Sequence, residues 1–166
     1  INRELQEICD RAISVAVDSL HADGGAIVVL NPSNGDVLAM ASNRTDPAAV
    51  ANTAVTEPYE PGSTMKPFVA ARLIGLGRAT PDETIDTYGG RLTIKGRTIT
   101  DADQHPSILS LSDVIKHSSN VGIVRFGDRL SVREKYEMLR DMGFGMPTAV
   151  ALPAESPGIV RDPTRW

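Results

Sequence analysis

Two short apolar runs on either side of a glycine-containing turn constrain the fold more than any other feature of the sequence. Residues 26–30 and 36–41 are apolar runs of strand type, and Asn31-Pro32-Ser33-Asn34-Gly35 separates them. An Asn-Gly pair readily takes the positive φ that tight hairpin turns require. The pattern predicts a β-hairpin over residues 25–41.

An amphipathic helix is predicted over residues 3–20, where it would pack on this hairpin. Its apolar positions recur with helical spacing, at Leu5, Ile8, Ala12, Ile13, Ala16, Val17 and Leu20. Asn2 suits the N-cap position, and Glu4 and Glu7 suit the positive end of the helix dipole. Cys9 lies beside the apolar stripe, so we expect it to be a small buried residue rather than a reactive thiol.

Shorter signals organise the rest of the chain. Residues 43–60, which include Pro47 and Pro58, read as a polar loop, and residues 68–76 are apolar almost all round, which predicts a deeply buried helix ended by Gly77. Residues 91–95 and 97–100 predict a small hairpin about Gly96. Three more helices are predicted: one capped by Ser110 or Ser112 and reaching about Lys116, one from about Val121 to Leu130, and one from the capping box at Ser131 through about Met142, ended by Gly143.

Length and charge exclude several classes of protein. The chain has 166 residues, 41% hydrophobic and 23% charged, which fits one soluble globular domain. Seventeen basic and 21 acidic residues give a net charge of −4, and there are only 7 aromatic residues, so nucleic-acid binding is not expected. One cysteine cannot form an internal disulfide. Because the sequence begins with Ile1 and has no signal peptide, we expect it to be an excised piece or a mature fragment.

The segment Glu60-Pro61-Gly62-Ser63-Thr64-Met65-Lys66-Pro67 is the most informative for chemistry. Gly62 permits a tight turn, and Ser63 then lies at the start of the predicted buried helix. Lys66 follows one helical turn later, so its ammonium can reach the Ser63 hydroxyl. Pro67 lacks an N–H group, so the first turn should be loosened or 3₁₀-like. A lysine at the buried end of an apolar helix is unusual and indicates a function.

A second polar segment, His117-Ser118-Ser119-Asn120, lies between two predicted helices. Ser118 and Asn120 are two residues apart and can face the same way in a bent connection. Together with Ser63 and Lys66, this segment indicates acyl transfer. Ser63 would be the nucleophile, Lys66 its base, Ser118 a proton donor to the leaving amine and Asn120 a ligand for a substrate amide. As a base, Lys66 needs a pKa lowered from ~10.4 to about 7, by burial or by a second cation.

These segments resemble the transpeptidase domain of the penicillin-binding proteins, most closely the class B, cell-division type. Ser63-x-x-Lys66 matches the first motif of that family and Ser118-Ser119-Asn120 matches the second, in the same order. Flanking similarity extends over residues 25–42, 52–56 and 152–158. The resemblance implies an α/β (α+β) fold, like that of the penicillin-binding and β-lactamase proteins, with helices on an antiparallel sheet that is incomplete in this chain. Residues 1–166 would then form a partial domain.

The third motif of the family, Lys-Ser/Thr-Gly, is absent from the sequence. None of Lys66, Lys95, Lys116 and Lys135 begins such a triplet. By resemblance, the absent part supplies a carboxylate-binding lysine, half of the oxyanion hole and most of the sheet. We therefore expect these residues alone to be nearly inactive, and we expect a partner that holds the C-terminal half of the domain as a second chain or segment.

The resemblance also implies a substrate and a location. The substrate would be the D-Ala-D-Ala end of a peptidoglycan stem peptide, which β-lactam antibiotics mimic, and no metal or organic cofactor is implied. Members of the family work outside the cytoplasmic membrane. We therefore expect the extracytoplasmic face of the bacterial inner membrane, an N-terminal anchor absent from this chain, and partners among cell-division or elongation membrane proteins.

Three alternatives remain open at this stage. A β-lactamase or β-lactam sensor of the same superfamily would share the acylation step, although we see no assured base for deacylation, since Glu155 lies in a loop of unknown placement. A metal-dependent hydrolase would use Asp101, Asp103 and His105, which alternate along the chain. A non-catalytic cell-wall scaffold would need no chemistry. His21 and His105 are expected at the surface, and the position of His117 beside the second motif does not make it catalytic.

Overall fold

Two structural units make up the chain, of which a computed structural model describes residues 1–46 and 52–166. The first unit comprises residues 1–58 and 147–158, and the second comprises residues 59–146 and 159–166. Each unit has its own cluster of buried apolar side chains. The predicted combination of helices with antiparallel strand pairs is confirmed.

Helix α1 (Arg3–Leu20) covers one face of a hairpin in the first unit. Asn2 caps the helix as predicted, since its side-chain oxygen accepts a hydrogen bond from the Leu5 N–H at 3.1 Å. The buried stripe, which includes Cys9, packs against Ala39 and Ala41. Removing this apolar surface from water is what joins the helix to the hairpin.

The hairpin consists of β1 (Gly24–Leu30) and β2 (Val37–Arg44), paired antiparallel. Its turn contains Gly35 with a φ of +78°, as the sequence predicts. The prediction that the loop begins at residue 43 is wrong, because the ladder continues with Gly25 opposite Asn43 and Gly24 opposite Arg44. The short helix α2 (Thr53–Thr56), capped by Asn52, also replaces part of that predicted loop. Pro47, placed in the same loop, lies outside the described residues.

The second unit is built on helices α3 (Lys66–Gly75), α4 (Leu111–Lys116), α5 (Asn120–Gly127) and α6 (Val132–Asp141). Their shared core includes Leu73, Val114 and Phe126, all fully buried. The prediction that the apolar residues 68–76 form a deeply buried helix is wrong, because α3 packs against α4, α5 and α6 but leaves Ile74 45% exposed. Gly77 ends it with a φ of +65°.

Short strands complete the second unit. The predicted hairpin is formed by β4 (Arg91–Ile94) and β5 (Arg97–Thr100). A pair not predicted, β3 (Thr84–Asp86) with β6 (Ile108–Ser110), brings the chain back to α4. Ser131 caps α6 with the predicted capping box. Of the two serines offered for α4, Ser110 is the N-cap, and it also forms a capping box, with Asp113. Helix α5 is shorter than predicted, because after Gly127 the chain continues in tighter turns with the Leu130 N–H bonded to the Gly127 carbonyl.

Within the described ranges, the helices are too short or too polar for any of them to cross a membrane.

The capping box at α6 predicts an acid-sensitive contribution to stability. Hydrogen bonds to the Glu134 carboxylate from Arg78, and from the backbone and hydroxyl of Ser131, lower the pKa of Glu134 from 4.5 to about 2. A lowered folded-state pKa contributes stability that is present above the unfolded-state pKa and is lost as the pH falls to the folded-state pKa. We therefore expect the free energy of unfolding to decline between about pH 4.5 and about pH 2.

Denaturant titrations of the Glu134→Gln variant over this pH range measure the contribution. The variant should show a shallower decline than the wild type, because its side chain has no proton to gain. Asp82→Asn, at an exposed position, is the control and should keep the wild-type slope. A slope in Glu134→Gln equal to that of the wild type would contradict the assignment.

Candidate active site

Ser63 lies in a 3₁₀ turn, Gly62–Met65, that leads directly into α3. Gly62 adopts a φ of +58°, and the Lys66 N–H donates to the Ser63 carbonyl. The 3₁₀ turn is the consequence expected of Pro67, which has no N–H to continue regular α-helical bonding to Ser63. The turn leaves Ser63 exposed at the mouth of the helix, where an attacking hydroxyl must be accessible.

Lys66 is buried and directs its ammonium at the second motif. Its Nζ donates to the Ser118 carbonyl, to Ser118 Oγ at 2.9 Å and to Asn120 Oδ1 at 2.8 Å. The residue is only 7% exposed. The structure thus brings Lys66, Ser118 and Asn120 together, as the sequence suggested. The predicted contact of Lys66 with the Ser63 hydroxyl is not formed, since none of the described residues hydrogen-bonds that hydroxyl.

Burial changes the acidity of Lys66 in the direction that a catalytic base requires. Removal of the ammonium from water lowers the pKa of Lys66, and the negative charge of Asp101 opposes that change. A lysine whose pKa falls becomes neutral more readily and can then accept a proton. The lowered pKa of Lys66 is the change that its predicted role as a base requires.

The connection between α4 and α5 presents both second-motif side chains to Lys66. Ser118 has a φ of +53°, a left-handed conformation that costs a serine on the order of 1 kcal/mol. This conformation reverses the chain between the two helices and places the carbonyl and hydroxyl of Ser118 on the same ammonium. Ser119 points the other way, is fully buried and caps α5 through the Gly122 N–H at 2.9 Å.

Asp101 and His105 lie buried beneath this connection, and analysis of the sequence missed their role. The side chain of His105 is 1% exposed and that of Asp101 is 3% exposed, so the prediction that His105 lies at the surface is wrong. His105 Nε2 contacts Asp101 Oδ2 at 2.6 Å. The signal available in the sequence was a carboxylate placed directly after the alternating strand β5.

The metal-site alternative does not match this geometry. Both oxygens of Asp101 accept hydrogen bonds from protein groups, and Nδ1 of His105 contacts the Pro106 carbonyl. In residues 1–46 and 52–166, no three His, Cys, Asp or Glu side chains are arranged to hold a metal ion.

Glu155, considered as a base for deacylation, lies in the first unit. Its Oε1 accepts hydrogen bonds from the hydroxyl and the backbone N–H of Thr148, at 2.5 and 2.6 Å. These bonds lower the pKa of Glu155, so its carboxylate is held as an acceptor within its own loop. Of the other histidines, His117 ends α4 with its ring centroid 6.2 Å from that of His105, and His21 is exposed as predicted.

Comparisons with known proteins agree with the motifs. A family model for the penicillin binding protein transpeptidase domain matches residues 25–166. Two curated relatives match 100% of the chain: the probable peptidoglycan D,D-transpeptidase PbpC of Pseudomonas aeruginosa, at 31% identity, and the penicillin-binding protein PbpB of Mycobacterium tuberculosis, at 33% identity. The chain spans 31% and 26% of the length of these two relatives.

Solved structures show the same fold. The apo transpeptidase domain of penicillin-binding protein 3 from Burkholderia pseudomallei aligns with a TM-score of 0.90 at 30% identity, over 100% of this chain and 48% of that one. Penicillin-binding protein 3 of Mycobacterium tuberculosis, solved with ampicillin, aligns with a TM-score of 0.87 at 33% identity, over 98% of this chain and 38% of that one. The chain therefore spans about half or less of each structure that it matches.

Proposed function

The chain belongs to the penicillin-binding protein transpeptidase family, and we propose that the complete protein is a serine-type peptidoglycan D,D-transpeptidase. The observation that supports this most directly is the buried Lys66 ammonium, held by Ser118 and Asn120 one helical turn after an exposed Ser63. A serine and a desolvated amine at one helix start, with a second hydroxyl that contacts the amine from another segment, are the groups that an acyl transfer through a covalent ester needs.

The donor in this proposal is the D-Ala-D-Ala end of a stem peptide. Ser63 Oγ bonds to the carbonyl carbon of the penultimate D-Ala, and its proton passes to neutral Lys66. The amide C–N bond then breaks, and the leaving D-Ala amine takes a proton delivered through Ser118. The amine of a second stem peptide attacks the ester, and Ser63 leaves as the hydroxyl. The proton transfer to Lys66 needs a Ser63–Lys66 hydrogen bond that is not formed in this structure and would form when substrate binds, since catalytic hydrogen bonds are often completed only in the substrate complex.

Asn120 would orient the donor. Its Oδ1 accepts from Lys66, and its amide nitrogen donates to the Thr100 carbonyl at 2.9 Å, so both ends of the side chain are fixed. A fixed amide can bind the amide of a peptide or of a β-lactam in one orientation. The Lys-Ser/Thr-Gly motif, absent from these residues, would come from sequence outside them and supply the carboxylate-binding lysine and half of the oxyanion hole.

The setting in the cell is part of the same proposal. We place the complete protein at the extracytoplasmic face of a bacterial inner membrane, anchored by a segment outside this chain, with cell-division or elongation membrane proteins as partners. Support comes from a relative named peptidoglycan D,D-transpeptidase FtsI in Buchnera aphidicola, which is 30% identical over 96% of this chain. Protease accessibility in intact cells with a permeabilised outer envelope tests the location.

A labelled penicillin tests the proposed chemistry in the complete protein. We expect stoichiometric covalent labelling, a mass increase on the peptide that contains Ser63, and an acyl-enzyme that lasts for many minutes. Ser33→Ala, at an exposed turn position of the first unit, is the control and should label at the wild-type rate.

Two of the rival functions predict a different result in the same experiment, whereas a β-lactam sensor would be labelled as durably as a transpeptidase. A β-lactamase would release the acyl group within seconds, and a non-catalytic scaffold would not be labelled. Label attached to a residue other than Ser63 would contradict the assignment of the nucleophile.

A further inference from the structure

Asp101 joins the end of β5 to the start of α5 through one of its carboxylate oxygens. Oδ1 accepts hydrogen bonds from the backbone N–H groups of Asn120, at 2.5 Å, and Val121, at 3.0 Å. These are the first two N–H groups of the helix, which have no partner within it. A carboxylate that binds them fixes the position and direction of the helix start, and with it the backbone of Asn120.

The other oxygen of Asp101 binds two side chains. Oδ2 accepts from Ser119 Oγ at 2.7 Å and contacts His105 Nε2 at 2.6 Å. The second ring nitrogen of His105, Nδ1, contacts the Pro106 carbonyl at 2.9 Å. A carbonyl and a carboxylate are both acceptors, and a ring that donates to both carries hydrogen on both nitrogens. These two contacts therefore favour the imidazolium form of His105, paired with a carboxylate.

We propose that Asp101 and His105 are a positioning pair for the active site: Asp101 holds the backbone of Asn120 where its side chain meets Lys66, and His105 holds Asp101 and balances its charge. This inference rests on the function proposed above. Neither residue touches the reacting atoms in that mechanism, so both act through Lys66 and the second motif.

The charged groups near Asp101 explain why its negative charge needs to be compensated by His105. Lys66 faces the carboxylate from α3, and His105 contacts it from the loop after β5. Asp103, in the same loop, and His117, at the end of α4, lie near the His105 ring. Burial lowers the pKa of Lys66, whereas the negative charge of Asp101 raises it. An imidazolium beside Asp101 offsets that negative charge. The effect of burial then dominates, and the pKa of Lys66 stays low.

The acidities of the pair agree with this charge state. The Pro106 carbonyl raises the pKa of His105, burial opposes it, and the Asp101 carboxylate raises it further. Burial works to raise the pKa of Asp101, but hydrogen bonds from Ser119, Val121, His105 and Asn120 outweigh burial and hold the pKa below its ordinary value. Both shifts favour the charged form of the group concerned.

The pH dependence of acylation separates positioning from simple structural support. In the complete protein, the rate of acylation by a labelled penicillin is measured per labelled site from pH 5 to 10. His105→Gln keeps a donor for Asp101 but removes the positive charge. We expect its rate–pH midpoint to move up by about one unit, with a roughly tenfold loss of rate below the midpoint and recovery at high pH.

Asp101→Asn removes the charge but keeps one acceptor for the N–H groups of α5. We expect its rate–pH midpoint to move down rather than up, because the charge that raises the Lys66 pKa is gone, and its rate above the midpoint to fall roughly tenfold. We expect Asp101→Ala to lose more. Asp101→Asn should therefore retain part of the acylation rate that Asp101→Ala loses. Asp128→Asn and His21→Gln, at exposed positions, are the matched controls and should keep the wild-type rate and midpoint.

Several results would overturn the inference. If the wild type is labelled at Ser63 and both variants keep its rate and midpoint, the pair positions nothing. If His105→Gln is slower at every pH with an unmoved midpoint, the role is structural only. Failure of the wild type to label would instead refute the proposed function. A readout that needs no variant is the nitrogen NMR signal of the His105 ring: a doubly protonated ring at pH 7 supports the pair, and a neutral ring overturns it.

Discussion

Replacing Lys66 with methionine is expected to slow acylation of Ser63 by roughly 10²–10⁴-fold in the complete protein, the usual contribution of a general base. Methionine has nearly the length of the buried lysine side chain but has no nitrogen to accept the Ser63 proton. The rate should also lose the rise with pH that titration of Lys66 gives the wild type. Stopped-flow acylation by a chromogenic β-lactam measures both effects.

Lys66→Arg separates the role of a base from that of a fixed positive charge. Arginine can donate to Ser118 and Asn120, but it stays protonated and cannot accept a proton. We expect it to be as slow as Lys66→Met. Lys116→Met, at an exposed position on α4, is the control and should be as fast as the wild type. A near-normal rate in Lys66→Arg would show that Lys66 acts by charge alone.

The parts of the site that depend on local geometry could be predicted from the sequence. Ser63 and Lys66 are separated by a single turn, and Pro67, within four residues of both, determines the character of that turn. The capping boxes at Ser110 and Ser131 are equally local, because each is made by side chains three residues apart. Such contacts need no knowledge of the tertiary structure.

Apart from the contact between Asp101 and His105, the contacts that were missed join distant parts of the chain. The sequence placed the Lys66 ammonium on a hydroxyl one turn away, whereas it binds acceptors on Ser118 and Asn120, more than 50 residues further on. Asp101 reaches Ser119 across 18 residues, and the strand pair β3–β6 spans a similar gap with three residues on each side. Elements this short have no periodicity for a sequence pattern to show.

The burial of His105 shows most clearly why these contacts could not be predicted from the sequence. A histidine in a polar stretch next to Asp101 and Asp103 reads as a solvated loop or as a metal ligand. The ring is buried because Asp101 lies against the start of α5. That placement depends on tertiary packing and has no local signal in the sequence. Buried charges in proteins are paired, so the burial of one member implied the burial of the other.

Gly122→Ala is expected to be among the most destabilising small substitutions in the second unit. A Cβ at this position of α5 would lie 2.4 Å from Val114 Cγ2 and 3.0 Å from Ser119 Oγ. Val114 is fully buried and β-branched, so it cannot turn away. We expect a loss of about 1–3 kcal/mol from overpacking, against a gain of about 1 kcal/mol in helix propensity. Denaturant titration measures the net change.

The same substitution should slow acylation, because relief of the clash must move α5 or Ser119, and both are tied to Asn120. Gly75→Ala is the matched control: it is also a helical glycine, and no atom lies within 4 Å of its added Cβ, so it should stabilise α3 by about 0.5–1 kcal/mol. In the Val114→Ala background, Gly122→Ala should cost much less, because the methyl groups that it meets are gone. Equal stability of Gly122→Ala and Gly75→Ala would mean that α4 and α5 are not packed as tightly as the structure has them.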